Sequence, residues 1–430
     1  MKTVVYVLDP SGQPLMPTTP VIARLLLKQG KAKVKRRCPF TIKLLYEPET
    51  RYVQPCRIAE DTGSGTFGAA AVTDDGKVYY MSEVELRNDI KTKMDARRTY
   101  RRNRRNRKVR YRKPRFDNRG NSRRTDRFAP TVQSKIRTHL KEIGFIRSIL
   151  PCRIELVLET GTFDPHLMKN PALYDEKIRR WGYQKGANYG FANTKAMVFY
   201  RDGYKCQHCR NKRKGMRLEA HHIVFRSNGG SDEAENLLTL CHACHRTLHD
   251  GKWVLTLKGK RKGTLSFATQ MNVIRAQLLR LLPGAIETFG FITKENRQLL
   301  GLPKSHAIDA AIAASGGNPV FFATETCFRK RCVAAGDFQQ TQGVRSEQPI
   351  TTGKICGFRK FDKVRYLGRE YFIKGRMSSG YAILMDIHGN KADFSAMPKG
   401  CKTPKLSAVT RIGARTTWMV MPEPAIVSTT

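Results

Sequence analysis

The sequence is short of negative charge. Its 430 residues contain 36 Asp and Glu against 79 Lys and Arg, a formal net charge of +43 at pH 7. An excess of one sign on this scale repels itself in the compact state unless a polyanion neutralises it, so the composition points first to nucleic acid as a partner. Long apolar runs are missing as well: no stretch approaches the roughly 20 residues needed to cross a bilayer. The first residues, one Lys and then the short alternation Val4, Tyr6, Leu8 before Asp9-Pro10, lack a signal-peptide core. These absences exclude a membrane protein and lead us to expect a cytoplasmic one. Wholesale disorder is excluded by the 40% hydrophobic and 9% aromatic content. An even cysteine framework is also lacking: of 11 cysteines, Cys38, Cys56, Cys152, Cys327, Cys332, Cys356 and Cys401 are scattered and read as reduced thiols. The other four form two pairs, Cys206/Cys209 and Cys241/Cys244.

At roughly 100–200 residues per domain the length predicts about three domains, and the overall class is multidomain α/β. Residues 1–55 read as a small αβ module. It has a strand over Val4–Leu8, a turn in which Asp9 is a turn-former, the peptide Pro14-Leu15-Met16-Pro17, a helix over Pro20–Gln29 closed by Gly30, and a basic stretch Lys31–Arg37. Residues 56–88 open a second unit, with an extended segment ending at Asp61 before a Gly-rich turn, then strands over Thr66–Thr73 and Val78–Met81. Between Lys91 and Arg115, 14 of 25 residues are Lys or Arg and Asp95 is the single acid. Residues 89–127 are therefore expected to carry one long arginine-rich helix whose self-repulsion bound phosphates remove. Arg97, Arg98, Arg101, Arg102, Arg104, Arg105, Arg107, Lys108 and Arg110 are its candidate nucleic-acid contacts, to phosphates rather than base edges.

Residues 128–165 read as a helix (Thr131–Ile149) and a strand (Arg153–Glu159), and 166–194 as a polar linker. The cysteine and histidine block spans 195–251. Residues 252–325 hold strands over Trp253–Leu257 and Thr264–Ala268, a helix over Ala276–Leu282, and an Ala-rich helix around Ala310–Ala314. Residues 326–430, short alternating strands with Gly turns, look like a small β-barrel.

Two Cys-x-x-Cys pairs fit a closed, structural four-thiolate zinc site. Their separation is wider than in a simple zinc ribbon, so something is inserted between the knuckles. The insertion and the residues after it contain His221-His222, Asn236, His245 and His249. Spacing of i, i+4 puts His245 and His249 on one helix face, where both can hold one divalent ion. This string resembles the HNH, or ββα-metal, nuclease motif. The resemblance implies that His221 completes the metal site, that His222 is the general base toward the attacking water, and that Asn236 pins the hairpin loop and orients His222. Histidine suits that base role because it titrates near neutral pH.

A second set, Asp61, Glu159, His306 and Asp309, resembles the RuvC branch of the RNase H fold. There an Asp ends the first strand before a Gly/Ser turn, a Glu ends a later strand, and a His-x-x-Asp lies on a helix. Such clustered carboxylates suit two Mg²⁺ ions roughly 3.5–4 Å apart. Glu60 stands where that family has an apolar residue, which leaves the first-strand acid open between Asp61 and Glu60.

Together, the PLMP peptide, a RuvC-like unit (56–88, 128–165, 252–325) split by an arginine-rich bridge helix and by an HNH block, and a β-rich end resemble the IscB family of transposon-encoded, RNA-guided nucleases. The resemblance implies several partners and cofactors: an ωRNA guide, a double-stranded DNA target with an adjacent motif read by 326–430, structural Zn²⁺, two Mg²⁺ in the RuvC site and one in the HNH site. It also implies a monomeric protein within a prokaryotic ribonucleoprotein, in which HNH cuts the guide-paired strand and RuvC the displaced one. A protein-only HNH/RuvC-type DNA endonuclease is the alternative; a guided binder without cleavage would not need His222, Asp61, Glu159 and Asp309 intact.

Overall fold

In the computed structural model the residues described are 3–107 apart from 52, 128–257 apart from 184, 187 and 214, 265–335, 338–340, 347–349, and 354–425 apart from 399. The buried run Val5–Leu8 is strand β1. After it Asp9 makes the expected turn, accepting from Ser11 Oγ at 2.6 Å and from the Gln13 amide at 2.8 Å. The PLMP peptide is itself a strand, β2 (Pro14–Thr18), antiparallel to β1. It lies at the edge of a sheet of order β2-β1-β4-β3, where a proline's missing N–H leaves no ladder bond unmade. Helix α1 (Pro20–Lys28) is capped by Thr19 and followed by Gly30 at φ +70°. Strands β3 (Ala32–Arg37) and β4 (Phe40–Leu44) complete this module.

The central sheet begins with β5 (Cys56–Asp61), β6 (Thr66–Thr73) and β7 (Lys77–Glu85), an antiparallel meander. The arginine-rich helix α2 (Ile90–Arg107) has Arg97, Arg98, Arg101 and Arg102 exposed. Lys108 and Arg110 lie outside the described residues. Helix α3 (Pro130–Arg147) leads to β8 (Cys152–Thr160), parallel to β5. The stretch expected to be a linker holds helix α4 (Pro165–Lys169), a 3₁₀ turn (Pro171–Tyr174) and helix α5 (Glu176–Gly182). Its polar residues are caps rather than spacers: Asp164, Asn170 and Asp175 each accept backbone N–H bonds at a helix start.

Helix α6 (Thr194–Arg201), strands β9 (Leu218–His222) and β10 (Leu237–Cys241) and helix α7 (His242–His249) form the cysteine and histidine block. No strand forms over Trp253–Leu257. In place of the strand expected at Thr264–Ala268, helix α8 (Ser266–Leu281) begins, burying Ala268, Met271, Ile274 and Leu278 at helical spacing. Short apolar runs carry too few residues to tell a period of 2 from 3.6. Next come β11 (Ile286–Phe289), α9 (Gly290–Leu299), α10 (His306–Ser315), β12 (Phe321–Phe322) and β13 (Thr326–Cys332). A hairpin β14 (Phe338–Gln340)/β15 (Glu347–Pro349), strands β16 (Lys363–Tyr366), β17 (Arg369–Arg376), β18 (Ala382–Met385), β19 (Thr410–Gly413) and β20 (Trp418–Pro424) end the chain's described part.

The central sheet runs β11-β8-β5-β6-β7-β13-β20, with β12 beside β7. Strands β13 and β20 thus extend it, so residues 326–430 are not one separate barrel. Among the described residues β18-β17-β16-β19 is an open four-stranded sheet. Helix α10 is rich in alanine, and every residue from Ala307 to Ser315 is buried, which lets it lie close on β6 and β5. At Gly68 a Cβ would fall 1.9 Å from the His306 carbonyl oxygen. Helix α3 packs through ionised groups. Fully buried Lys330 donates to both Glu142 oxygens at 2.8 Å, and Oε1 also accepts from Tyr80 at 2.6 Å and Ser82 at 2.8 Å. His139 pairs with buried Glu60 at 3.0 Å. The chain divides into two compact units, 1–161 with 273–430, and 162–272. No helix of the described residues is long and apolar enough to cross a membrane.

Candidate functional site

In the smaller unit β9 and β10 pair antiparallel with His222 opposite Leu237 and His221 opposite Leu238. Alternation along β9 points the two histidines to opposite faces. His221 turns inward and meets His245 and His249 from α7, with ring centroids 5.0 and 5.3 Å away and 4.6 Å between the latter two. One ring nitrogen from each lies within 4.8 Å of the others. Burial, and then the neighbouring His245 and His249, push His221 down to about 4, and burial also lowers His245. Both are therefore neutral at pH 7 with lone pairs available, the state a metal requires.

Glu219 takes His245 Nδ1 at 2.8 Å and His242 Nδ1 at 3.0 Å. A carboxylate behind a ligating imidazole fixes its tautomer and orientation. Glu219 was legible in principle, since it sits two residues before His221 on the same strand face. The donor set bears on the ion: three imidazoles suit Fe²⁺, Ni²⁺, Cu²⁺ or Zn²⁺, whereas Mg²⁺ takes oxygens. The expected Mg²⁺ does not fit here.

His222 Nε2 is held by Asp232 at 2.9 Å, and Arg226 Nε donates to the same oxygen at 2.6 Å. Asn236 has a different task from orienting His222. Buried, it donates to the Val224 and Ser231 carbonyls at 3.0 and 2.8 Å and accepts from the Val224 amide at 2.9 Å. It closes the 224–231 loop, and Asp232, with no sequence signal, holds the histidine.

Cys206, Cys209, Cys241 and Cys244 bring their sulfurs within 4.8 Å of one another, a four-sulfur set suited to zinc. Burial alone would raise the Cys206 thiol. The Cys241, Cys209 and His208 amides and the Cys209 thiol outweigh it and bring it down to about 7, toward the thiolate a metal needs. His208 stacks on Trp253 at 3.8 Å, outside the sulfur set.

In the larger unit Asp61 and Glu159 are register partners at the ends of parallel β5 and β8, and His306 and Asp309 face them from α10. His306 Nδ1 is 2.5 Å from Asp61 Oδ2. Strand alternation settles the acid left open: Glu60 points to the opposite face and His139, and Asp61 to this one. Burial, then the charge of Asp61, pushes Glu159 up to about 7, against a hydrogen bond from Thr293. Asp309 is raised by burial, while Arg297, 3.1 Å away, opposes this. The hydrogen bond to Asp61 raises His306. Glu159 Oε2 is buried with no hydrogen-bond partner among the described residues, whereas Asp309 Oδ1 meets Arg297 Nε at 3.1 Å. Such an orphaned carboxylate oxygen fits a hard divalent cation. The carboxylates do not converge on one point as the histidines do. Thr293 and Arg297 carry no sequence motif, and only the packing of α9 brings them here.

Two family models match the chain: the RRXRR protein family over residues 5–186 and the HNH endonuclease family over residues 206–251. Anaredoxin of Nostoc sp. is 33% identical over 51 residues, covering 12% of this chain and 64% of that protein. Among solved structures, Streptococcus thermophilus Cas9 in complex with the AGAA PAM aligns at TM-score 0.34 and 13% identity over 57% of this chain and 32% of Cas9. The GGAA PAM complex gives 0.35 and 13% over 58% and 32%. The chain thus spans about a third of the Cas9 length and 64% of the curated relative. It carries an HNH endonuclease domain over residues 206–251 and an RRXRR region over residues 5–186.

Proposed function

We propose that the protein is an RNA-guided DNA endonuclease in which the histidine site of the HNH block cuts the guide-paired strand and the Asp61/Glu159/Asp309 site, a RuvC-type centre, cuts the displaced strand. The observation that carries this reading is the presence of two separate hydrolytic constellations in different units, with an exposed arginine-rich helix between the first two RuvC-like segments. A guide–target heteroduplex and a displaced single strand call for two cutting sites and a backbone-reading surface that ignores sequence. The partners are an ωRNA, double-stranded DNA with an adjacent motif, and no second copy of the protein. Residues 1–55, 56–88, 89–127, 128–165 and 195–251 keep the roles given them above, and the complex works in the cytoplasm of a prokaryote.

At the HNH site Asp232 accepts a hydrogen bond from the Nε2–H of His222, which leaves Nδ1 to accept a proton from water. His221, His245 and His249 would hold a transition-type divalent ion. At the second site Asp61, Glu159 and Asp309 would hold two Mg²⁺, with His306 positioned by Asp61. Bound there, divalent ions polarise the phosphodiester and stabilise the leaving oxygen.

Strand-specific end-labelling on a guided target tests the division of labour. His222→Ala should slow cutting of the guide-paired strand at least about 10²-fold and Asp61→Ala that of the displaced strand, each leaving the other cut. If either change abolished both cuts while target binding persisted, one shared site would replace the two. Sequencing of co-purified RNA should return one stoichiometric long species; its absence would leave a protein-only nuclease.

A further inference from the structure

Strand β11 and helix α9 run past the carboxylate site at one edge of the central sheet. The parallel register sets Thr288 beside Glu159 and Phe289 beside Thr160. A Cβ on Gly290 would fall 2.9 Å from Glu159 Oε1, so two phenylalanines bracket a residue that abuts a candidate metal ligand. Phe289 is half-buried, whereas Phe291 is 70% exposed. Their rings stack in parallel, with 6.1 Å between centroids and 7° between planes. Among the described residues no other ring and no cation lies against Phe291. The covered remainder of its surface is too small to include both ring faces, so one face is open. Lys304, two residues ahead of His306, is exposed and has no carboxylate partner among the described residues. Burial raises Asp309, and the charge of Lys304, after that of Arg297, opposes the rise.

A duplex keeps its base faces stacked on one another, whereas a single strand has them to offer. Aromatic rings beside basic side chains are what hold such strands without regard to sequence. An apolar protein partner would use the open ring and leave the lysine unanswered. We propose that Phe291, backed by Phe289, is a base platform: one base of the displaced strand stacks on its open face and so sets the neighbouring phosphodiester at Asp61, Glu159 and Asp309. Fixing a flexible strand before the chemical step removes orientational freedom that the step would otherwise have to overcome. The inference rests on the assignment of the displaced strand to this site and adds to it the residue that registers the strand there.

The test is the rate of each cut on a strand-labelled guided target, with the full-length protein and its co-purified RNA. Phe291→Ala should slow the displaced-strand cut about five- to a hundredfold, the worth of one stacked base, and leave the guide-paired cut unchanged. Phe291→Trp should cut at the wild-type rate, and Phe291→Leu, apolar but without a ring face, should be as slow as alanine. A scan of single abasic sites along the displaced strand should find one position near the cut that slows the wild-type protein by the same factor. That abasic site should slow the Phe291→Ala protein no further, since both changes remove one contact. A wild-type rate for Phe291→Leu, an alanine-like rate for Phe291→Trp, loss of both cuts in Phe291→Ala, or abasic effects that add to it at every position would overturn the platform. Asp61→Ala separates this failure from that of the underlying assignment. If Asp61→Ala still cut the displaced strand, assignment and platform would fall together; if it did not and Phe291→Ala cut normally, the platform alone would fall.

Discussion

Single side chains set the chemistry of each site through partners that lie far off in sequence. Glu219 grips His245 from behind, so its loss should loosen the imidazole without touching the cysteines. Glu219→Gln is expected to weaken Ni²⁺ binding at the histidine site about 10–100-fold, read by calorimetric titration, with the zinc content unchanged. Equal Ni²⁺ affinity would show that Glu219 serves His242 alone. Lys330 is the other informative residue. Its side chain and that of Glu142 are both 0% exposed, and burial lowers the lysine's pKa. Lys330→Met should cost about 3–5 kcal/mol, because Glu142 is left buried without its cation. A Lys330→Met/Glu142→Gln protein should regain much of that loss, since the neutral amide oxygen still accepts from Tyr80 and Ser82 and no charge is left buried. Urea midpoints of the two variants check both statements.

At the scale of elements the decisive contact is helix on strand. Helix α10 brings His306 and Asp309 to the carboxylate site only because β6 offers no side chain at Gly68, where a Cβ would meet backbone atoms of His306 at 1.9 and 2.1 Å. Backbone cannot rotate away as a side chain can. Gly68→Ala should therefore shift the helix and abolish the cut assigned to this site, while the cut assigned to the histidine site persists; strand-labelled substrates separate the two. If both cuts survived, α10 would have room that the packing denies it. Gly290→Ala is milder, since its Cβ would meet only the Glu159 side chain at 2.9 Å.

For the whole molecule, the division into a central-sheet unit and a smaller unit at 162–272 predicts separable stabilities. The smaller unit buries few large apolar residues around its cysteines, Leu238 and Leu240 among them, so metal binding supplies folding energy there. Cys241→Ser should release zinc and melt this unit early in calorimetry, leaving the transition of the central sheet in place. Loss of zinc with an unchanged melting profile would make the cysteine site dispensable for folding. His222→Ala should retain its zinc, because His222 bonds Asp232 and is not one of the four sulfur ligands.

Local spacing carried much of this protein in its sequence alone: the excess of basic charge, the two Cys-x-x-Cys knuckles, the i, i+4 histidines of α7, the His-x-x-Asp of α10 and the arginine-rich helix. Each depends on residues a few positions apart, and a helix or strand period converts such spacing directly into a shared face. Long-range packing decided the rest. Which of Glu60 and Asp61 faces the site depends on which side of β5 receives α3 and which α10. That β13 and β20 join the central sheet depends on pairing with β7, more than two hundred residues earlier. The second partners Asp232, Thr293 and Arg297, and the choice of ion at the histidines, follow from donor atoms brought together by folding, which no local period encodes.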